Sequence, residues 1–136
     1  MERVYTTPLL DKLGVRPGAR IAIVGPIETA AAEFRDLLGE RTADVRDGQP
    51  TPQTDLIFLV ADSTAELRPL RALAEALRPN GAIWVIWRKG KTATLRDVEV
   101  IEAAIDAGLV DNKVASFSPT HTAQRLVIPL ARRPTV

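Results

Sequence analysis

Residues 21–30 read IAIVGPIETA. A short apolar run, 21–24, reaches Gly25, and beyond it Ile27, Ala30, Ala31, Phe34, Leu37 and Leu38 fall at helical spacing. Strand, tight turn and helix form the opening unit of an open α/β sheet, where nucleotide-binding proteins carry a glycine-rich phosphate loop. Here Gly25 stands alone. Pro26 follows it, with a fixed φ and no backbone N–H to offer a ligand. Glu28 and Glu33 favour the helix start but repel a pyrophosphate. The turn therefore reads either as one close approach to a ligand or as a plain strand-to-helix connection.

Working outward, TPLLDKLG (7–14) predicts a short helix, with Pro8 at its first position, Gly14 ending it and Leu9, Leu10 and Leu13 packed down. Residues 43–45 predict a brief strand. DLIFLVA (55–61) and AIWVIW (82–87) are continuous apolar runs, as expected of strands buried on both faces. Leu67, Leu70, Leu73 and Leu77 mark a helix between them. Its start is ambiguous: Ser63–Glu66 has the spacing of a capping box, whereas Pro69 prefers a first turn. RPNG (78–81) reads as the turn that stops it. Thr94 and Asp97 open a further helix closed by Gly108, and strands near 113–118 and 124–130, joined by a turn at 119–121, predict an antiparallel hairpin. The pattern is α/β: one Rossmann-like domain over 1–136, a mostly parallel sheet with helices on both faces and a C-terminal antiparallel hairpin. Trp84 and Trp87, three apart on one strand, are expected on opposite faces, with Trp84 in the core.

Composition narrows the function. The chain has 136 residues with a formal net charge of +1, no cysteine and one histidine, which leaves no thiolate or histidine-cluster metal site. The near-neutral balance argues against general nucleic-acid binding. No apolar run approaches the roughly 18 residues of a membrane span. MERVYTTPLL lacks the basic-then-apolar form of a signal peptide, so the cytoplasm is the expected compartment.

LRALAEALRPNGAIWV (70–85), a leucine-spaced helix running into a proline–glycine turn and an apolar strand, resembles class I S-adenosylmethionine-dependent methyltransferases. Over nearly the whole chain, LGVRPGARIAIVG, PNGAIWVIWRKGK and EAAIDAGLVDNKVASFS with TAQRLVIP are similar to a small bacterial family, domain of unknown function 3052. That resemblance implies a truncated methyltransferase-like fold and no assigned activity. The chain departs from the family pattern at two places. Arg88-Lys89 stands where a Pro-Lys pair is usual, and His121 stands where a Trp is usual.

Four groups are candidates for chemistry. Gly25 and Pro26 would face a cofactor, and S-adenosylmethionine, lacking phosphate, would meet less repulsion there than a dinucleotide. Asp44, 19 residues on, has the spacing of an acid that binds ribose hydroxyls, with Asp47 as the alternative and a solvated carboxylate as the bland reading. Arg88, Lys89, Lys91 and Arg96 form a basic run without an acid, beside Trp87. They follow the last parallel strand and so fall at the carboxyl edge, where such sheets bind ligands. A phosphate, a carboxylate or a partner's acidic patch would suit them, and so would solvent alone. His121 is the one base of ordinary pKa near neutrality, and it reads as a turn residue. No Ser lies in a G-x-S-x-G elbow, so no catalytic residue is assigned.

The expectation is a non-catalytic methyltransferase-like domain, without a required cofactor, that binds a small anionic ligand or protein partner at the carboxyl edge. A minimal S-adenosylmethionine-dependent methyltransferase and a structural homodimer are the alternatives.

Overall fold

The computed structural model describes residues 8–132. Its strands are β1 (Ile21–Val24), β2 (Val45–Asp47), β3 (Thr54–Val60), β4 (Leu77–Arg88), β5 (Val110–Ser116) and β6 (His121–Val127). They form a single sheet in the order β2-β1-β3-β4-β6-β5. β1 to β4 pair in parallel, β6 runs antiparallel to β4, and β5 antiparallel to β6. The α/β class and the terminal hairpin thus stand as read.

The helices are α1 (Leu9–Lys12), α2 (Phe34–Gly39), α3 (Leu70–Glu75) and α4 (Asp97–Asp106). One face of the sheet, with Ile21, Ile23, Phe58, Trp84 and Ile86, packs under Leu10 and Leu13 of the N-terminal segment and Phe34 and Leu38 of α2. The other, with Ile57, Leu59, Ile83 and Val85, packs under Leu70 and Leu73 of α3 and Val100 and Ala104 of α4. Burial on both faces explains the unbroken apolar runs of β3 and β4. Phe34 meets Phe58 and Phe117 edge-on at centroid distances of 5.1 and 4.8 Å. Trp84 lies in the core, and its indole N–H donates to the Leu13 carbonyl at 3.0 Å. Trp87 faces the opposite layer.

Several boundaries differ from the sequence reading. The helix expected over 27–38 is a 3-10 turn at Ile27–Thr29 followed by α2. The ambiguous start of the next helix resolves into two elements. Ser63 Oγ accepts from the Glu66 N–H at 3.3 Å around a 3-10 turn, Ala65–Leu67, and Pro69 then caps α3. Leu77 belongs to β4 rather than to that helix, and RPNG lies within the strand as a bulge: four residues, 78–81, stand opposite Asp55 alone. At α4 it is Glu99 that accepts from the Arg96 N–H (2.8 Å), while the Thr94 hydroxyl donates to the Asp62 carbonyl (2.5 Å). The late strands begin about three residues before their expected starts, so His121 opens β6 rather than sitting in a turn. A register shift between Asp111 and Lys113 interrupts the exposed edge strand β5, a device that discourages edge-to-edge pairing.

Candidate functional site at the carboxyl edge

The carboxyl edge gathers the ends of β1, β3 and β4. At the end of β1, Gly25 has φ +101°, and a Cβ there would lie 3.2 Å from both Cβ and O of Val60 on β3. Glycine is required so that two neighbouring strand ends can approach. Pro26 (φ −82°, ψ 77°) forms an inverse γ-turn, closed by the Ile27 N–H on the Gly25 carbonyl at 2.9 Å. The N–H of Thr29 goes to Pro26, and those of Ala30 and Ala31 go to Ile27. A phosphate cradle needs such donors pointing outward. Here the turn uses them on itself.

Asp44 precedes β2 and lies beside Arg20 at the start of β1, its Oδ2 3.1 Å from Arg20 Nε. It therefore sits at the amino edge, a strand length from Gly25, and the two do not share a site. The acid at the carboxyl end of β2 is Asp47. It is gripped by the Arg35 fork at 2.5 and 3.0 Å, and the same guanidinium contacts Glu28. The hydrogen bond to Arg35 lowers the Glu28 pKa, and the bonds from Arg35 to Asp47 and Glu28 raise that of the guanidinium.

Strand alternation divides the basic run. Arg88 shares a face with its antiparallel partner His121. Its N–H donates to Asp62 Oδ1 at 3.1 Å, and its Nε lies 3.7 Å from Oδ2. The charge of Arg88 is thus compensated by an acid 26 residues earlier, one that reading the loop in isolation misses. Asp62 was discernible in principle as the first polar residue past the β3 run. Lys89 lies on the other side, with Trp87, and donates to Ser116 Oγ at 2.8 Å. Lys91 sits exposed in a 3-10 turn, Gly90–Thr92. Among the described residues neither lysine pairs with a carboxylate, and Arg96 faces Glu99 at 3.7 Å. Beside Trp87 opens a cleft of about 480 Å³ lined by Leu95, Arg96, Asp97, Val98, Val114 and Thr122, so one arginine and one acid share its wall.

His121 is 3% exposed. Its Nδ1 lies 2.8 Å from the Thr120 hydroxyl, and its Nε2 is buried without a hydrogen-bond partner. Burial lowers its pKa, Asp62 opposes that shift, and Arg88 and Lys89 add to it. Because the folded state resists the proton, stability is fully present above the unfolded pKa of about 6.5 and falls as pH drops below it. The decline is expected to reach at most about 1.4 kcal/mol per pH unit, and His121→Gln should flatten it in urea midpoints compared at pH about 7.5 and 5.5. Parallel wild-type and variant profiles would contradict this placement.

Neither the cleft beside Trp87, nor one between α3 and α4, nor one at the amino edge is lined by Gly25, Pro26 or Asp47. Among the described residues no group of three or more His, Asp or Glu side chains could hold a metal, and no helix is long and apolar enough to cross a membrane.

The architecture has parallels among solved structures. A SAM-dependent methyltransferase from Aquifex aeolicus is 15% identical, with a TM-score of 0.61 over 88% of this chain and 88% of that one. This is a methyltransferase-like fold. A chain of the Haloferax volcanii complex containing the Trm112 methyltransferase activator gives a TM-score of 0.63 at 12% identity, over 89% and 86% of the two chains. LepI in complex with SAM gives 0.63 at 14% identity, over 95% of this chain. The chain spans half the length of that LepI chain. No family model matches the chain, and no curated protein matches it.

Proposed function

We propose that this chain is a methyltransferase-like binding domain that does not transfer methyl groups, and that it holds a small anionic ligand at the carboxyl edge beside Trp87. The observation that carries the reading is the contrast between two places on that edge. The turn after β1 spends the N–H groups of Ile27, Thr29, Ala30 and Ala31 internally and packs Gly25 on Val60, whereas the Trp87 cleft is partly apolar, with Arg96 and Asp97 on its wall and Lys89 on the same side of the strand as Trp87. Trp87, Leu95 and Val98 would take the apolar body of the ligand. Lys89 and Lys91, unpaired with acids, would attract its charge from the rim. The second reading, a minimal S-adenosylmethionine-dependent methyltransferase, draws on the fold shared with LepI bound to SAM.

The probe is 8-anilinonaphthalene-1-sulfonate, an aromatic anion, titrated by fluorescence at low and high salt. Exposed pairs contribute up to about 1 kcal/mol each, so Lys89→Ala with Lys91→Ala should weaken binding about tenfold. Salt should weaken it too, since exposed charges are screened beyond about 8 Å at physiological ionic strength. The double variant should stay within about 0.5 kcal/mol of wild-type stability. Affinity unchanged by both salt and substitution would place the function elsewhere.

A further inference from the structure

The opposite, amino edge of the sheet carries a second cleft of about 500 Å³. Its apolar floor is Leu13, Ala19 and Leu56, and among the described residues its walls hold three arginines, Arg16, Arg78 and Arg125, and one carboxylate, Asp55. In a chain whose formal net charge is only +1, this is a local concentration of cations in a concave surface, where low-dielectric walls focus the potential.

Asp55 compensates one of the three charges, that of Arg78, and both of its oxygens are engaged. Oδ2 accepts the Arg20 N–H at 2.8 Å, and Oδ1 faces Arg78 Nε at 3.1 Å. The contact through Nε fixes the Arg78 side chain and leaves the terminal nitrogens of its fork for a ligand. Arg125 is steadied by Asn112, its Nη1 lying 3.3 Å from Oδ1. Arg16 takes part in no ion pair among the described residues. The backbone contributes little. The N–H groups of Gly14, Val15, Gly18 and Ala19 all bond to main-chain carbonyls, so the donors on offer are guanidinium groups.

A local distortion builds this arrangement. The bulge at 78–81 lifts Arg78 and Asn80 out of the ladder and places them beside the cleft. It depends on Gly81, where a Cβ would lie 2.7 Å from the Asp55 carbonyl oxygen. Bulges of this kind re-aim side chains. Guanidinium forks match the paired oxygens of phosphate, and the volume suits a metabolite rather than a polymer.

We infer that the amino-edge cleft is a second binding site, for a small phosphate-bearing anion held by Arg16, Arg78 and Arg125. This site is independent of the one at the carboxyl edge, and either can fail without the other. The test is calorimetric titration of the full chain with inorganic pyrophosphate at low ionic strength. One saturable site is expected. Arg16→Ala should weaken it at least about tenfold, as loss of a charge-assisted hydrogen bond does, and Arg78→Lys should weaken it while leaving a cation beside Asp55. The Lys89→Ala, Lys91→Ala variant should bind pyrophosphate as the wild type does. Arg16 is an exposed loop residue, so a circular dichroism melt of Arg16→Ala that overlays the wild type separates lost binding from lost fold. Absence of saturable heat, or an affinity that Arg16→Ala leaves unchanged, overturns the inference. So does binding weakened by the lysine variant alone, which would move the pyrophosphate to the carboxyl edge.

Discussion

Replacing Trp84 with Ala is expected to remove about 3–5 kcal/mol of stability, a large share of the 5–15 kcal/mol typical of a folded domain. Trp84 is fully buried on the central strand β4, opposite Phe58 on β3 and Arg125 on β6. The substitution opens a cavity under the N-terminal helical segment. It also leaves the Leu13 carbonyl without the indole donor that ties the segment 71 residues away to the sheet. Trp87→Ala, at the partly buried end of the same strand, should cost distinctly less. Urea unfolding of the two variants measures the difference, and a Trp84→Ala protein melting within a degree or two of wild type would contradict its burial.

The second large effect belongs to Gly25. Ala at this position must adopt φ +101° and place its Cβ 3.2 Å from Val60, against both the side chain and the carbonyl oxygen. Backbone strain of about 1–3 kcal/mol combines with overpacking of about 1–3 kcal/mol, so a loss of about 2–6 kcal/mol is expected. Gly14 is the control. It too has a positive φ, +75°, but nothing lies within 4 Å of its missing Cβ. Gly14→Ala should therefore show the strain without the crowding and lose about 1–2 kcal/mol. Equal losses at the two positions would mean that the contact with Val60 is not what demands glycine.

The sequence was legible where one element decides its own structure. The apolar runs of β3 and β4 showed that both faces of the sheet are covered, and alternation placed Trp84 and Trp87 on opposite sides before any contact was known. It was not legible where a distant neighbour decides. RPNG has the composition of a turn, yet pairing with β3 on both sides of it keeps these residues within a strand. Asp44 has the expected spacing from Gly25, but β2 begins only at Val45, so Asp44 falls at the wrong end of a three-residue strand. Arg88 stands in a run without acids and is nevertheless compensated by Asp62 from the neighbouring strand. His121 resembles a turn residue because Ser, Pro and Thr precede it. Its pairing with Arg88 draws it into the sheet and buries it.

The central claim is that the turn after β1 is a joint between strands rather than a grip on a cofactor. Isothermal titration of the wild-type chain with S-adenosylmethionine tests it most directly. Weak heats that do not saturate at high micromolar ligand are expected, because Pro26 lacks a donor and the N–H groups of Ile27, Thr29, Ala30 and Ala31 are taken. A dissociation constant in the low micromolar range, about −8 kcal/mol or better, would contradict it.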